Sequence, residues 1–253
     1  MNTTAPQEVT TVARIQHAEA MRIAAEENRK FGRQLRCFDA PDWAKPTDCV
    51  RWDARALAAH VVGSAAGQAS PREFVRQVRR GRPIVEEIGA QYWWDGMNEL
   101  QVRERAGLTP QELIEEWDAA SERALRSRTR LPRPIARLPL LNLPAPVGRQ
   151  PVSYLFDMGF TRDVWMHRVD LARATGQPLD LDPEHDGRIV ADIVAEWAAT
   201  HGEPFTLELE GAAGGTFTAG EGGEDVRIDA VAFCRILAER AHGDGVLRHP
   251  LPL

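Results

Sequence analysis

The chain has 253 residues, 43% of them hydrophobic and 27% charged, a mixture too apolar and too evenly charged for disorder. Its net charge is −6 with no basic stripe between aromatics, which argues against nucleic acid as a partner. No run of 18 apolar residues occurs, which excludes a membrane-spanning helix.

From residue 9 to about 36, Val12, Ile15, Ala18, Ala20, Met21 and Ala24 recur at helical spacing with charges between them, which predicts an amphipathic helix. A loop with Pro41, Trp43 and Pro46 follows. Asp53 is the expected N-cap of a second helix, on which Ala56, Leu57, His60, Val61 and Ser64 share a face. A third helix is predicted over 71–90, a turn over 92–96, and another helix over 98–106. Thr109-Pro110-Gln111-Glu112 joins an N-cap to a proline at the first helical position. The helix it opens turns Leu113, Ile114, Trp117, Ala120, Ala124 and Leu125 inward. Between 127 and 151, Pro132, Pro134, Pro139, Pro144, Pro146 and Pro151 forbid a continuous helix. That stretch reads equally as a lid and as a surface crossover. The last long helix covers 153–174 and stops at Gly176 and Pro178.

After Pro183 the period changes. One helix over 187–201 precedes two strand-like runs, PFTLELE and GTFTA; in the first, Phe205, Leu207 and Leu209 alternate with Thr206, Glu208 and Glu210. A short strand over 225–228 leads into a helix over 229–241. Residues 177–253 also hold 15 acidic and 5 basic residues, whereas the part before them is mildly basic. The expected architecture is an all-helical bundle over 1–180 and a small α+β domain over 181–253.

Asp163 and His167 stand four residues apart in FTRDVWMHRVDLARATG, so on a helix they project from one face, one turn apart. A carboxylate and an imidazole so placed can reach one small cation, and Zn²⁺ takes such ligands at about 2.0–2.2 Å, usually three from the protein with one position open. Such pairs also occur as plain surface hydrogen bonds. His60 is the best third candidate, since its helix face is otherwise apolar or small; on the same grounds it reads as a satisfied core histidine. Asp170, three residues past His167, reads either as support for a ligand or as a helix ion pair.

The motifs PTDCVRWDARALAAHVVG and, about a hundred residues later, RDVWMHRVDLARATG resemble the mycothiol-dependent maleylpyruvate isomerase family. The resemblance covers nearly the whole chain. It implies a DinB-like four-helix bundle followed by a small sterol-carrier-like α+β domain, with FCRILAERAHGDGVL similar to that domain's closing helix. It also implies a divalent metal, usually zinc, held by a histidine of the first motif and the acid and histidine of the second. At those positions stand His60, Asp163 and His167. The isomerase that typifies the family has glutamate as its acidic ligand, where this chain has the shorter Asp163. Arginines meet that enzyme's dicarboxylate substrate, one of them from the C-terminal domain. Arg235 and Arg240, in the similar closing helix, are the candidates here.

The function so implied is that of a mycothiol-dependent metalloenzyme, which activates the thiol as a metal-bound thiolate for addition to an electrophilic small molecule. With a maleylpyruvate-type substrate, addition, rotation about the resulting single bond and elimination make it a cis–trans isomerase. With another electrophile, a stable thioether makes it a mycothiol S-transferase. A metal-containing small-ligand binding protein without catalysis is a further reading, as is hydrolysis by metal-activated water. The expected partners are mycothiol and a small electrophile, with no nucleic acid or membrane, and the chain a monomer or homodimer. Only Lys30 and Lys45 are lysines among 31 basic residues, which fits the high-GC bacteria that make mycothiol. Cys37, Cys49 and Cys234 are too scattered for a disulfide framework or a metal knuckle. No basic head precedes an apolar stretch at the N-terminus, so the expected location is the cytoplasm.

Overall fold

The computed structural model describes residues 6–253. In chain order the elements are strand β1 (Gln7–Glu8), helices α1 (His17–Arg36), α2 (Ala54–Gln68), α3 (Pro71–Glu87), α4 (Trp93–Glu104), α5 (Pro110–Thr129) and α6 (Arg133–Ala136), and strands β2 (Leu141–Asn142) and β3 (Arg149–Gln150). A π-helical segment, Tyr154–Gly159, runs into α7 (Phe160–Thr175). Helix α8 (Asp186–His201), strands β4 (Phe205–Glu210), β5 (Gly215–Ala219) and β6 (Glu224–Asp229), and helix α9 (Ala230–Leu237) follow, with a 3-10 turn (Gly245–Arg248) after them. The mostly helical chain with one small mixed sheet is the α plus α+β class expected of it.

Contacts divide the chain into two compact units that do not follow chain order. One comprises Met21–Ile135 and His167–Leu179. Its central element is α2, in which Leu57, Ala58, Val61 and Val62 are all buried, and α3, α4 and α5 pack against it. The Asp53 carboxylate accepts from the Ala56 N–H at 2.8 Å, so the helix starts where its cap dictates. Thr109 and Glu112 form a reciprocal capping box at the start of α5. Helices α3 and α4 approach backbone to backbone at Gly81 and Gly96, and a Cβ on Gly81 would stand 2.6 Å from the Met97 nitrogen. Glu27 and Arg168 form a fully buried ion pair, Nε to Oε1 at 2.7 Å.

The other unit comprises the described residues up to Ala20, Ala136–Met166 and Asp180–Leu253. Its sheet has the order β1-β5-β4-β6, with β4 antiparallel to β5 and parallel to β6, and β1 parallel to β5. Phe205, Leu207 and Leu209 are buried, as their alternation requires. The Phe205 ring lies 5.0 Å from that of Trp197 on α8, which in turn lies 5.2 Å from Phe233 of α9. Arg162, buried on α7, donates to Asp192 and Glu196 of α8, and the Tyr154 hydroxyl donates to Glu196 at 2.6 Å.

Several boundaries differ from the sequence expectation. The first helix begins at His17 rather than near residue 9, because Gln7 and Glu8 pair with Phe217 and Thr218 and Val9–Thr11 form a single 3-10 turn. The turn expected over 92–96 is already helical from Trp93, since the Asp95 carboxylate accepts from the Tyr92 N–H at 3.1 Å. The Pro-rich stretch holds the small antiparallel pair β2–β3, with Leu141 opposite Gln150. The closing helix, expected over 229–241, ends at Leu237. Glu239 takes a positive φ of 57°, and the Arg240 N–H closes onto the Arg235 carbonyl. Arg240 therefore lies beyond the helix that was to carry it.

Candidate metal centre

Helix α2 carries His60 and helix α7 carries Asp163 and His167. One ligand atom from each of the three lies within 4.8 Å of the others. His60 is 2% exposed and His167 6%, while Asp163 is half-buried. The two imidazole rings are 5.0 Å apart between centroids, and Trp52 covers His60 from 5.1 Å.

Both histidines direct one nitrogen at an acceptor. His60 Nδ1 lies 2.8 Å from Gln101 Oε1, and His167 Nδ1 lies 3.0 Å from Asp170 Oδ2. With Nδ1 so engaged, Nε2 is the nitrogen each ring offers to a cation, the usual arrangement of a metal-ligating histidine. The donor set is then two imidazole nitrogens and one carboxylate oxygen, which suits zinc and other divalent transition metals. The residues present fit the metal implied for this family.

Asp170 is fully buried, and its contact with His167 is an i,i+3 pair within helix α7. Cys49 directs its thiol at the same carboxylate, Sγ to Oδ2 at 3.7 Å, so Cys49, His167 and Asp170 form a second close cluster around the shared imidazole. Arg235 and Arg240 are half-buried in the α+β part of the chain; Arg235 Nη2 donates to the Arg240 carbonyl at 3.3 Å and Arg240 Nη1 to the Ala238 carbonyl at 3.4 Å. Trp165 is a core anchor, fully buried with its indole N–H donating to Asp186 at 2.8 Å. Tyr92 stacks on Trp94 at 4.5 Å, and Arg103 is engaged by Glu87 and Glu99. Gln101 was not among the residues singled out from the sequence. A lone glutamine in an amphipathic helix reads as solvated, and only the partner's position shows otherwise.

A helical bundle whose two buried histidines stand with a half-buried carboxylate, in one chain with a small mixed α+β sheet, is the class defined by these features. The chain belongs to the mycothiol maleylpyruvate isomerase N-terminal domain family, whose pattern matches residues 24–172. Two solved structures share the fold: the mycothiol-dependent maleylpyruvate isomerase, at 18% identity and a TM-score of 0.57 over 91% of each chain, and a point mutant of it, at 18% and 0.57 over 89% of this chain and 90% of that one. No curated protein matches the chain.

Proposed function

We propose that His60, Asp163 and His167 hold one divalent cation, zinc, in a mycothiol-dependent enzyme acting on a small electrophile, with cis–trans isomerisation of a maleylpyruvate-type diacid as its reaction. The observation that carries the reading is the convergence of these three ligand atoms, with each imidazole held through its Nδ1. The solved structures that share the fold, named as mycothiol-dependent maleylpyruvate isomerase, support the choice of thiol and substrate.

When bound, the metal supplies positive charge that stabilises a thiol as its anion at neutral pH. Three protein ligands leave one position for that sulfur. Asp163 offsets one of the cation's two charges, while neutral imidazoles from His60 and His167 offset none. Asp170 keeps the His167 ring oriented, and Trp52 closes one side of His60. In this reading residues 1–180 act as the metal-holding domain in the cytoplasm, and 181–253 contribute Arg235 and Arg240, whose guanidinium forks suit the substrate's carboxylates.

The test is to supply purified enzyme with mycothiol and a maleylpyruvate-type diacid. Trans product with the thiol regenerated is the expected result. A stable thioether detected by mass spectrometry would instead make the protein an S-transferase. Turnover without thiol, or protein purified without chelator that holds no metal, would overturn the proposal.

A further inference from the structure

We infer that Gln101 and Gln77 are positioning residues that lock the His60 imidazole into the Nδ1–H tautomer, so that Nε2 is the nitrogen turned to a cation. The purpose of the lock rests on the metal reading above; its existence does not.

The lock begins at the far end of a chain of hydrogen bonds. Gln77 Nε2 lies 3.0 Å from the Gly63 carbonyl and 3.1 Å from Glu73 Oε1. A carbonyl and a carboxylate only accept, so the amide nitrogen of Gln77 must face them and its oxygen must face the other way. That oxygen lies 2.8 Å from Gln101 Nε2, which makes Gln101 the donor there. The Gln101 oxygen is thereby turned to His60, at 2.8 Å from Nδ1. It can only accept, so the ring nitrogen must carry the proton. Which imidazole nitrogen is protonated is set by the hydrogen bond it makes, and here that bond is dictated two residues away.

Neither amide can turn round without stranding a donor against a donor, since Gln77 and Gln101 are both fully buried. The far end is itself anchored. Arg76 donates to Glu73 at 2.6 and 2.7 Å and to Glu104 at 2.7 and 2.8 Å, and the hydrogen bond from Arg76 is the chief reason the Glu73 carboxyl titrates below its ordinary range. Helix α2 is shaped for the relay. Gly63 and Gly67 lie three and seven positions past His60, on the same side of the helix. A Cβ on Gly63 would stand 2.5 Å from the Gln101 Cβ, and one on Gly67 would stand 2.7 Å from Gln77 Oε1.

The experiment is long-range ¹H–¹⁵N correlation of the full-length, metal-free protein with the imidazole neutral, paired with zinc titration. Wild type is expected to carry its His60 proton on Nδ1. Gln77→Leu frees the Gln101 amide to turn, and should spread the proton over both nitrogens and weaken zinc binding about 10- to 100-fold, the scale of losses on removing support from a metal ligand. Gln101→Leu removes the acceptor at Nδ1 and should likewise spread the proton over both nitrogens and weaken zinc binding. An Nε2–H tautomer in wild type would overturn the inference. So would a folded Gln77→Leu protein with tautomer and zinc affinity unchanged. Should Gln77→Leu fail to fold, wild type and Gln101→Leu decide the matter. Wild type that shows the Nδ1–H tautomer but binds no zinc would support the relay and overturn the metal reading alone.

Discussion

His60 and His167 face each other edge to plane, with their rings at 89° and their centroids 5.0 Å apart. Each ring is tied at Nδ1 to a different kind of acceptor, a side-chain amide for His60 and a carboxylate for His167. Neither ring can swing without breaking a buried hydrogen bond, so the pair is set before any ligand arrives.

If the pair is a metal site, removing either ring removes the metal. His60→Ala and His167→Ala should each take zinc from about one per chain to near none, a full site needing three protein ligands. Lost packing should cost about 1–3 kcal/mol, typical of a buried truncation, so both proteins remain folded. Elemental analysis beside circular dichroism measures the two effects separately.

The buried Glu27–Arg168 pair lies one residue from His167 and should dominate the stability of its surroundings. Glu27→Gln leaves a buried guanidinium without its counter-charge, and the expected loss is about 3–5 kcal/mol. Replacing both together, Glu27→Leu with Arg168→Met, should cost far less, because neither member then leaves the other's charge buried. Chemical denaturation of the two variants compares them directly.

The three cysteines should react with a thiol reagent in order of exposure. Cys37 is exposed, Cys49 is intermediate, and Cys234 is fully buried, with its thiol pushed up by that burial. One fast and one slow modification are expected in the native protein. The third should appear only on unfolding. Mass mapping of the labelled peptides checks the assignment.

Burial, followed by the charge of the stacked His249, holds the His201 pKa below its ordinary value of 6.5. The unfolded chain therefore takes up a proton there before the folded one. The stability contributed by keeping this ring neutral is full above pH 6.5 and is lost as the pH falls toward the folded value. Glu203, held below 4.5 chiefly by its hydrogen bond with His249, is lost in a separate and more acidic window. His201→Asn keeps an acceptor for the Glu203 N–H and should flatten the melting temperature between pH 7 and 5 while leaving the acidic limb in place. A slope as steep as in wild type would assign the upper window to other groups.

Much of the fold was legible because burial imposes a period. The alternation in β4 and the N-caps at Asp53 and Thr109 are local patterns, and they appear where expected. Asp163 and His167 could be paired because a helix makes residues four apart neighbours. β1 could not be foreseen, since two residues show no alternation and their partner lies two hundred positions away. Gln77 and Gln101 were hidden for a related reason: a single polar residue does not reveal that another helix buries it. The nearest signal was indirect, in the spacing of Gly63 and Gly67 after His60, which marks a face made to admit neighbouring side chains.

The pairing of Gln7 and Glu8 with β5 has a consequence for handling the protein. That short segment occupies the outer margin of the sheet, where β5 would otherwise present open backbone donors and acceptors to other molecules. The opposite margin, β6, is guarded by charge instead, with Glu224, Asp225, Arg227 and Asp229 along it. A chain trimmed to begin at Thr10 would keep the proposed metal residues and lose only one of these two guards. Such a protein should self-associate with rising concentration, through the margin its own first residues had covered.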